Sequence, residues 1–177
     1  MPSELVLKTG DLVFREGESV ESNVVKGVDK RSIYSHVGLV VWQDSSWRVV
    51  HAVPNESKKN ERDRVKIEPI EEFFATDRAL SGGVYRIDLS SEDTIIIYNK
   101  VREIMDRNPL FDSSMDLQDT NSFYCTELVW HIFLTALNID LSQGRRHSIP
   151  LLPDLIFCSD IISYTNLEIV YKFDSNK

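Results

Sequence analysis

The chain has 177 residues, with 20 Lys and Arg against 28 Asp and Glu, for a formal net charge of −8. That length suits a single domain over residues 1–177 with a sizeable core. The acidic balance, without a convincing basic patch, argues against nucleic-acid binding, and no apolar run reaches the roughly 18 residues of a membrane span.

Taken in chain order, "GDLVFRE" (10–16) predicts a turn and a short strand. "SVESNVVKGVDK" (19–30) has weak helical spacing and reads as a short helix or a loop. "SHVGLVVWQ" (35–43) and "WRVVHAV" (47–53) predict two strands of a hairpin around "QDSS". "PNESKKNERDR" (54–64) mixes both charge signs and reads as a solvated loop. "VKIEPI" (65–70) predicts a strand, "EEFFA" (71–75) a helical turn and "GGVYRIDL" (82–89) another strand.

"SSEDTIIIYNKVREIMDRN" (90–108) has a helix start signal, with Ser90 or Ser91 as cap and acidic residues in the first turn. Ile97, Val101, Ile104 and Met105 then share a face, and Pro109 ends the helix. Residues 109–122 read as a loop, and "FYCTELVWHIFLTALNI" (123–139) as the strongest helix, with Leu128, Val129, Ile132, Phe133, Ala136 and Leu137 on one stripe. "SIPLLPDLIF" (148–157) is proline-punctuated, and "LEIVYKF" (167–173) predicts a last strand. The sum is an α+β domain with a mostly antiparallel sheet.

Side-chain parity relates the two hairpin histidines. If Trp42 faces Trp47, Gly38 faces His51 and Val53 faces His36. Both histidines then fall on one face as diagonal neighbours, roughly 7–8 Å apart at Cα. An odd-length loop would put them on opposite faces. A histidine at a strand end is more often structural, but Gly38 marks a place where something approaches the backbone closely. His131 and His147 read as structural or surface residues.

The chain has two cysteines, too few for a disulfide framework and not in a CxxC zinc pattern. Cys125 falls where the strongest helix begins. Unpaired N–H groups and the positive end of the helix dipole favour a thiolate there, and its own backbone N–H can hold an oxyanion. Two readings stand at this point: inert core filler, or a nucleophile with an imidazole in reach as base. Cys158, in the apolar "LIFCSDII", reads as structural.

"TGDLVF", "YSHVGLVV", "VVHAV" and "FYCTELV", in this order, resemble the circularly permuted papain-like cysteine hydrolases. The similarity is to the YiiX type of the NlpC-related superfamily, with lecithin–retinol acyltransferase as a more distant relative. The histidine precedes the cysteine, as in the permuted enzymes, and "FD" at 111–112 resembles their approach to the nucleophile. The resemblance spans about residues 9–130. It implies a small antiparallel sheet packed on the nucleophile helix. It also implies that Cys125 is the nucleophile, His36 the general base and acid, and His51 the residue that orients His36. Glu127, where the family pattern commonly has an acid, reads as a structural partner of the helix N-terminus.

The implied activity is that of a cysteine peptidase or amidase that cleaves an amide or ester through an acyl-enzyme. It needs no metal or organic cofactor. The expected substrate is peptide-like or an acylated small molecule. Acyl transfer or lipid-ester hydrolysis with the same residues is the alternative. Two other classes remain open: zinc held by Cys125, His36 and His51, and a silent binding domain that keeps the fold. The N-terminus shows no basic region followed by an apolar core. A cytoplasmic location with reduced thiols is therefore the default, although a chain trimmed of its leader would look the same. Oligomeric state leaves no mark in the sequence.

Overall fold

A computed structural model describes residues 5–17, 27–54, 62–148 and 153–174. Most of the 19–30 segment and most of the polar 54–64 loop lie outside the described residues, as do positions 149–152 of the proline-punctuated stretch.

Six strands form one antiparallel sheet: β1 (Leu12–Glu16), β2 (His36–Gln43), β3 (Ser46–Ala52), β4 (Val65–Pro69), β5 (Ser81–Ile87) and β8 (Leu167–Asp174). Their order across the sheet is β4-β3-β2-β1-β5-β8. The fold is thus α+β, with an antiparallel sheet and few helices. Two further strands of two residues each, β6 (Leu110–Phe111) and β7 (Ser122–Phe123), pair in parallel. They close the ends of the segment read from sequence as a plain loop, because a pairing this short has no periodicity to detect.

The hairpin between β2 and β3 sets the register. Trp42 pairs with Trp47 and Gln43 with Ser46, so the connection is only Asp44 and Ser45. Both have positive φ, 51° and 59°, the geometry of a tight turn whose twist matches that of its strands. This loop of even length puts His36 and His51 on one face, as the parity reading expects.

The alternation of β2 divides its residues between two cores. Val37, Leu39 and Val41 join Leu12, Phe14, Val50 and Tyr85 in the larger one, which two helices cover. The first is α2 (Ser91–Asp106), whose start is a capping box between Ser90 and Asp93. The second is α3 (Cys125–Leu137), which packs against α2, β2 and β3. It buries Leu128, Val129, Ile132 and Phe133. Full burial of side chains of this size contributes about 1.5–3 kcal/mol each. Asn138, in the left-handed conformation, ends α3.

The opposite face of the sheet carries a smaller core of Val13, Val40, Val49 and Val84. It is closed by Ile70 and Phe73 of the single-turn helix α1 (Ile70–Phe73). A short helix that the sequence reading missed, α4 (Cys158–Ile162), lies against α3.

Candidate functional site

His36 opens β2 and His51 lies near the end of β3, and both side chains are buried. His36 Nε2 stands 2.7 Å from His51 Nδ1. The partner of His51 on β4 is Lys66, so Glu68, two residues on, is its diagonal neighbour on the same face. His51 Nε2 is 3.0 Å from Glu68 Oε1. That separation is within ion-pair reach once His51 is protonated, although its geometry falls short of a hydrogen bond. Two diagonal steps across three strands thus make one row: His36, His51, Glu68.

Phe73 supports that row. Its ring stacks on His36 at 5.6 Å and meets His51 edge-on at 5.2 Å between centroids. The Arg15 guanidinium lies 4.8 Å above the same ring and donates to the Phe73 carbonyl oxygen at 2.9 Å. Helix α1 therefore positions a flat apolar wall that fixes both imidazole planes.

Cys125, the first residue of α3, interacts with His36, each favouring the charged form of the other. Because Nε2 of His36 is engaged with His51, Nδ1 is the ring nitrogen left for the sulfur. Three neighbours favour the thiolate: the Cys158 thiol, then the His36 imidazole, and the Val37 N–H. They outweigh burial and hold Cys125 well below the usual thiol range. Its side chain remains partly exposed, so a reagent can reach it.

Burial pushes His36 down to about 4, against the opposing pull of Cys125. His51 is also lowered by burial. Glu68 behaves differently: burial opposes its ionisation, but His51 and Lys66 hold its carboxyl down to about 2. The site thus pairs imidazoles kept neutral with a carboxylate kept charged. A neutral imidazole facing a thiol can take its proton, and a carboxylate at the far end of the row can stabilise the cation that results.

The segment around Cys125 is tied down on both sides. Tyr124 Oη accepts the Ile156 N–H at 3.0 Å, and Thr126 Oγ1 donates to the Ile156 carbonyl at 2.6 Å. Glu127 reaches back to accept the Tyr124 N–H at 3.1 Å, which satisfies one of the orphan donors at the start of α3. The Tyr34 hydroxyl is engaged by Tyr85 at 3.3 Å within the core. His131 is half-buried on α3 against Phe123. His147 binds Asp160.

The structure thus brings together the three residues that the sequence reading put forward, Cys125, His36 and His51. It adds Glu68 and Phe73, which that reading did not single out. Among the described residues, no group of three or more His, Cys, Asp or Glu is arranged to hold a metal ion. No helix among the described residues is long and apolar enough to cross a membrane.

Comparison with known families matches residues 6–148 to the permuted papain-like amidase enzymes of the YaeF/YiiX, or C92, family. Among solved structures, the chain is similar to one described as the metalloprotein yiiX from Escherichia coli O157:H7. The TM-score is 0.77 at 21% identity, and the match covers 94% of this chain and 97% of that one. At that identity the likeness speaks for the fold. Comparison with curated proteins finds no match.

Proposed function

The chain belongs to the permuted papain-like amidase family, a family of cysteine-type hydrolases, and we propose that it cleaves an amide bond with Cys125 as nucleophile and His36 as its proton partner. The observation that carries this reading is the placing of Cys125 at the start of α3, where its thiol interacts with the His36 end of a buried row that runs through His51 to Glu68.

The Cys125 sulfur attacks the carbonyl carbon of the amide, and the proton of its thiol, given up before or during the attack, ends on Nδ1 of His36, making the imidazolium that the next step consumes. Backbone N–H groups at the start of α3 receive the developing oxyanion. The leaving nitrogen takes a proton from His36 and departs, leaving a thioester on Cys125. Water, deprotonated by His36, resolves that thioester to the acid and the free thiol. His51 keeps His36 turned toward the sulfur, and the charge of Glu68 supports the imidazolium through His51.

The test is a screen of small amide, ester and thioester substrates, with the acyl adduct on Cys125 trapped and identified by mass spectrometry. Cys125→Ser and His36→Ala are expected to fold and to lose turnover by about 10²-fold or more. Retained turnover in either variant, or an adduct on another residue, would overturn the assignment.

A further inference from the structure

The second cysteine is not used by the proposed hydrolysis, yet it lies at the reaction centre. The residues that flank Cys125 hold both polar groups of the Ile156 backbone: Tyr124 takes its N–H and Thr126 its carbonyl. Two residues further on, Cys158 begins α4 with its side chain buried. That clamp sets the starts of α3 and α4, and with them the two cysteines of the chain, next to each other, and Cys158 is the neighbour that does most to favour the Cys125 thiolate.

We propose that Cys125 and Cys158 form a peroxide-driven, reversible disulfide that switches the nucleophile off and shields it from irreversible oxidation. The inference rests on the reading of Cys125 as an accessible, ionised thiol. The oxidant is of the hydroperoxide class. The Cys125 thiolate attacks the O–O bond; an S–O bond forms and the O–O bond breaks. The departing oxygen takes a proton from solvent and leaves as water or an alcohol, so the peroxide is reduced and Cys125 becomes a sulfenic acid. The Cys158 sulfur then attacks the Cys125 sulfur. An S–S bond forms, the S–O bond breaks, and the Cys158 proton leaves with the hydroxide as water.

The local electrostatics give the steps this order. Neighbouring Cys125 and burial push the Cys158 thiol well above its usual range, so Cys158 is a poor first target and Cys125 the better one. Once Cys125 is a neutral sulfenic acid, the anion that held the Cys158 proton is gone, and the buried thiol can act as the resolving group. A small dithiol reverses the bond by exchange.

The experiment treats the full chain with hydrogen peroxide and reads it by intact mass and by non-reducing peptide mapping, without any substrate. The expected product is a chain lighter by two hydrogens, with the Cys125 and Cys158 peptides linked and both thiols recovered on dithiothreitol. In Cys158→Ser, Cys125 is expected to go on to gain two or three oxygens that dithiothreitol does not remove, at least about tenfold faster than in the wild type. Oxygen gain on wild-type Cys125 without a linked peptide, or a link only between two chains, would overturn the proposal. The wild-type result decides even if the variant does not fold. Because no turnover is measured, a failed amidase assay leaves this result standing.

Discussion

Nε2 of His36 and Nδ1 of His51 face each other at 2.7 Å, and that contact sets the proton positions of the whole row. For His36 to accept a proton at Nδ1, its Nε2 must carry the hydrogen and donate it to His51 Nδ1. His51 then carries its own hydrogen on Nε2, the nitrogen that lies 3.0 Å from Glu68 Oε1. Each ring has one tautomer consistent with catalysis, and Glu68 selects it from the far end. His51→Ala is therefore expected to lower kcat by about 10²-fold or more, with KM little changed. Glu68→Gln should give a smaller loss in the same direction, about tenfold, because the amide keeps an oxygen beside His51 but brings no charge. Steady-state kinetics on any substrate found in the screen checks both. A KM effect with kcat intact would show that these residues bind substrate and do not orient His36.

The state of Cys125 has its own pH signature. The Cys158 thiol, the His36 imidazole and the Val37 N–H hold its pKa well below the ordinary thiol value. The reactive fraction falls as pH drops through that lowered pKa, and above it the fraction is already full. Alkylation by iodoacetamide should thus rise less steeply between pH 7 and 8 than that of an ordinary thiol of pKa about 8.5, which gains several-fold per unit there. His36→Ala removes one stabilising partner, so its profile should shift to higher pH. A wild-type rate that climbs about tenfold per unit from pH 6 to 8 would sink the activated-thiol reading.

Gly38 is where local sequence chemistry and site geometry meet. A Cβ at this position would lie 2.3 Å from Val49 Cγ1, 3.1 Å from the Val50 carbonyl oxygen and 3.2 Å from His51 Cβ. Backbone and β-branched neighbours cannot give way by that much, so the chain must shift and take His51 with it. Gly38→Ala is expected to cost about 1–3 kcal/mol, read as a lower melting temperature, and to reduce kcat as well. A variant that melts lower yet turns over normally would show that His51 tolerates displacement.

What the sequence discloses about this site follows from distance along the chain. His36 and His51 were legible as a pair because a short hairpin joins them, and parity carries a register across a tight turn. The marker was the pair Trp42 and Trp47, which do face each other. Glu68 makes the same diagonal step to His51, but the intervening segment is too long and too polar for parity to cross it. Once β4 is paired, a carboxylate on the histidine face is the signal. Phe73 was hidden for another reason: "EEFF" shows two aromatics, and only the path of the chain tells which one lies under the histidines. Cys158 looked like filler because its neighbours in sequence are apolar. Its contact with Cys125 depends on the Tyr124 and Thr126 hydrogen bonds to Ile156, which leave no trace in composition or spacing. The helix stripes of α2 and α3 were readable throughout, since each buries one face on a continuous core.

Glu127 gives the protein a stability cost at neutral and alkaline pH. The sequence suggests a carboxylate favoured by the start of α3, but the structure buries it, 1% exposed. Burial is the main cause that raises its pKa to about 9, and Asp112, Asp119 and Asp116 push the same way, against the Tyr124 N–H. In the unfolded chain the group ionises near its ordinary value of 4.5. Between those two values the folded protein binds a proton that the unfolded chain has released. Stability therefore falls as pH rises through that window. Glu127→Gln keeps an oxygen for the Tyr124 N–H and cannot ionise. The variant is expected to melt higher than wild type at pH 8, by at least the 2–4 °C that about 1 kcal/mol produces in a domain of this size. The gap should close toward pH 5, where both chains are neutral at this position in the folded state and little proton release remains in the unfolded one. His51, lowered by burial, destabilises on the acid side in both proteins alike and drops out of the difference. Melting curves of the two proteins across that range decide the matter: a constant gap, or one that widens toward acid, would mean that Glu127 is ionised in the fold.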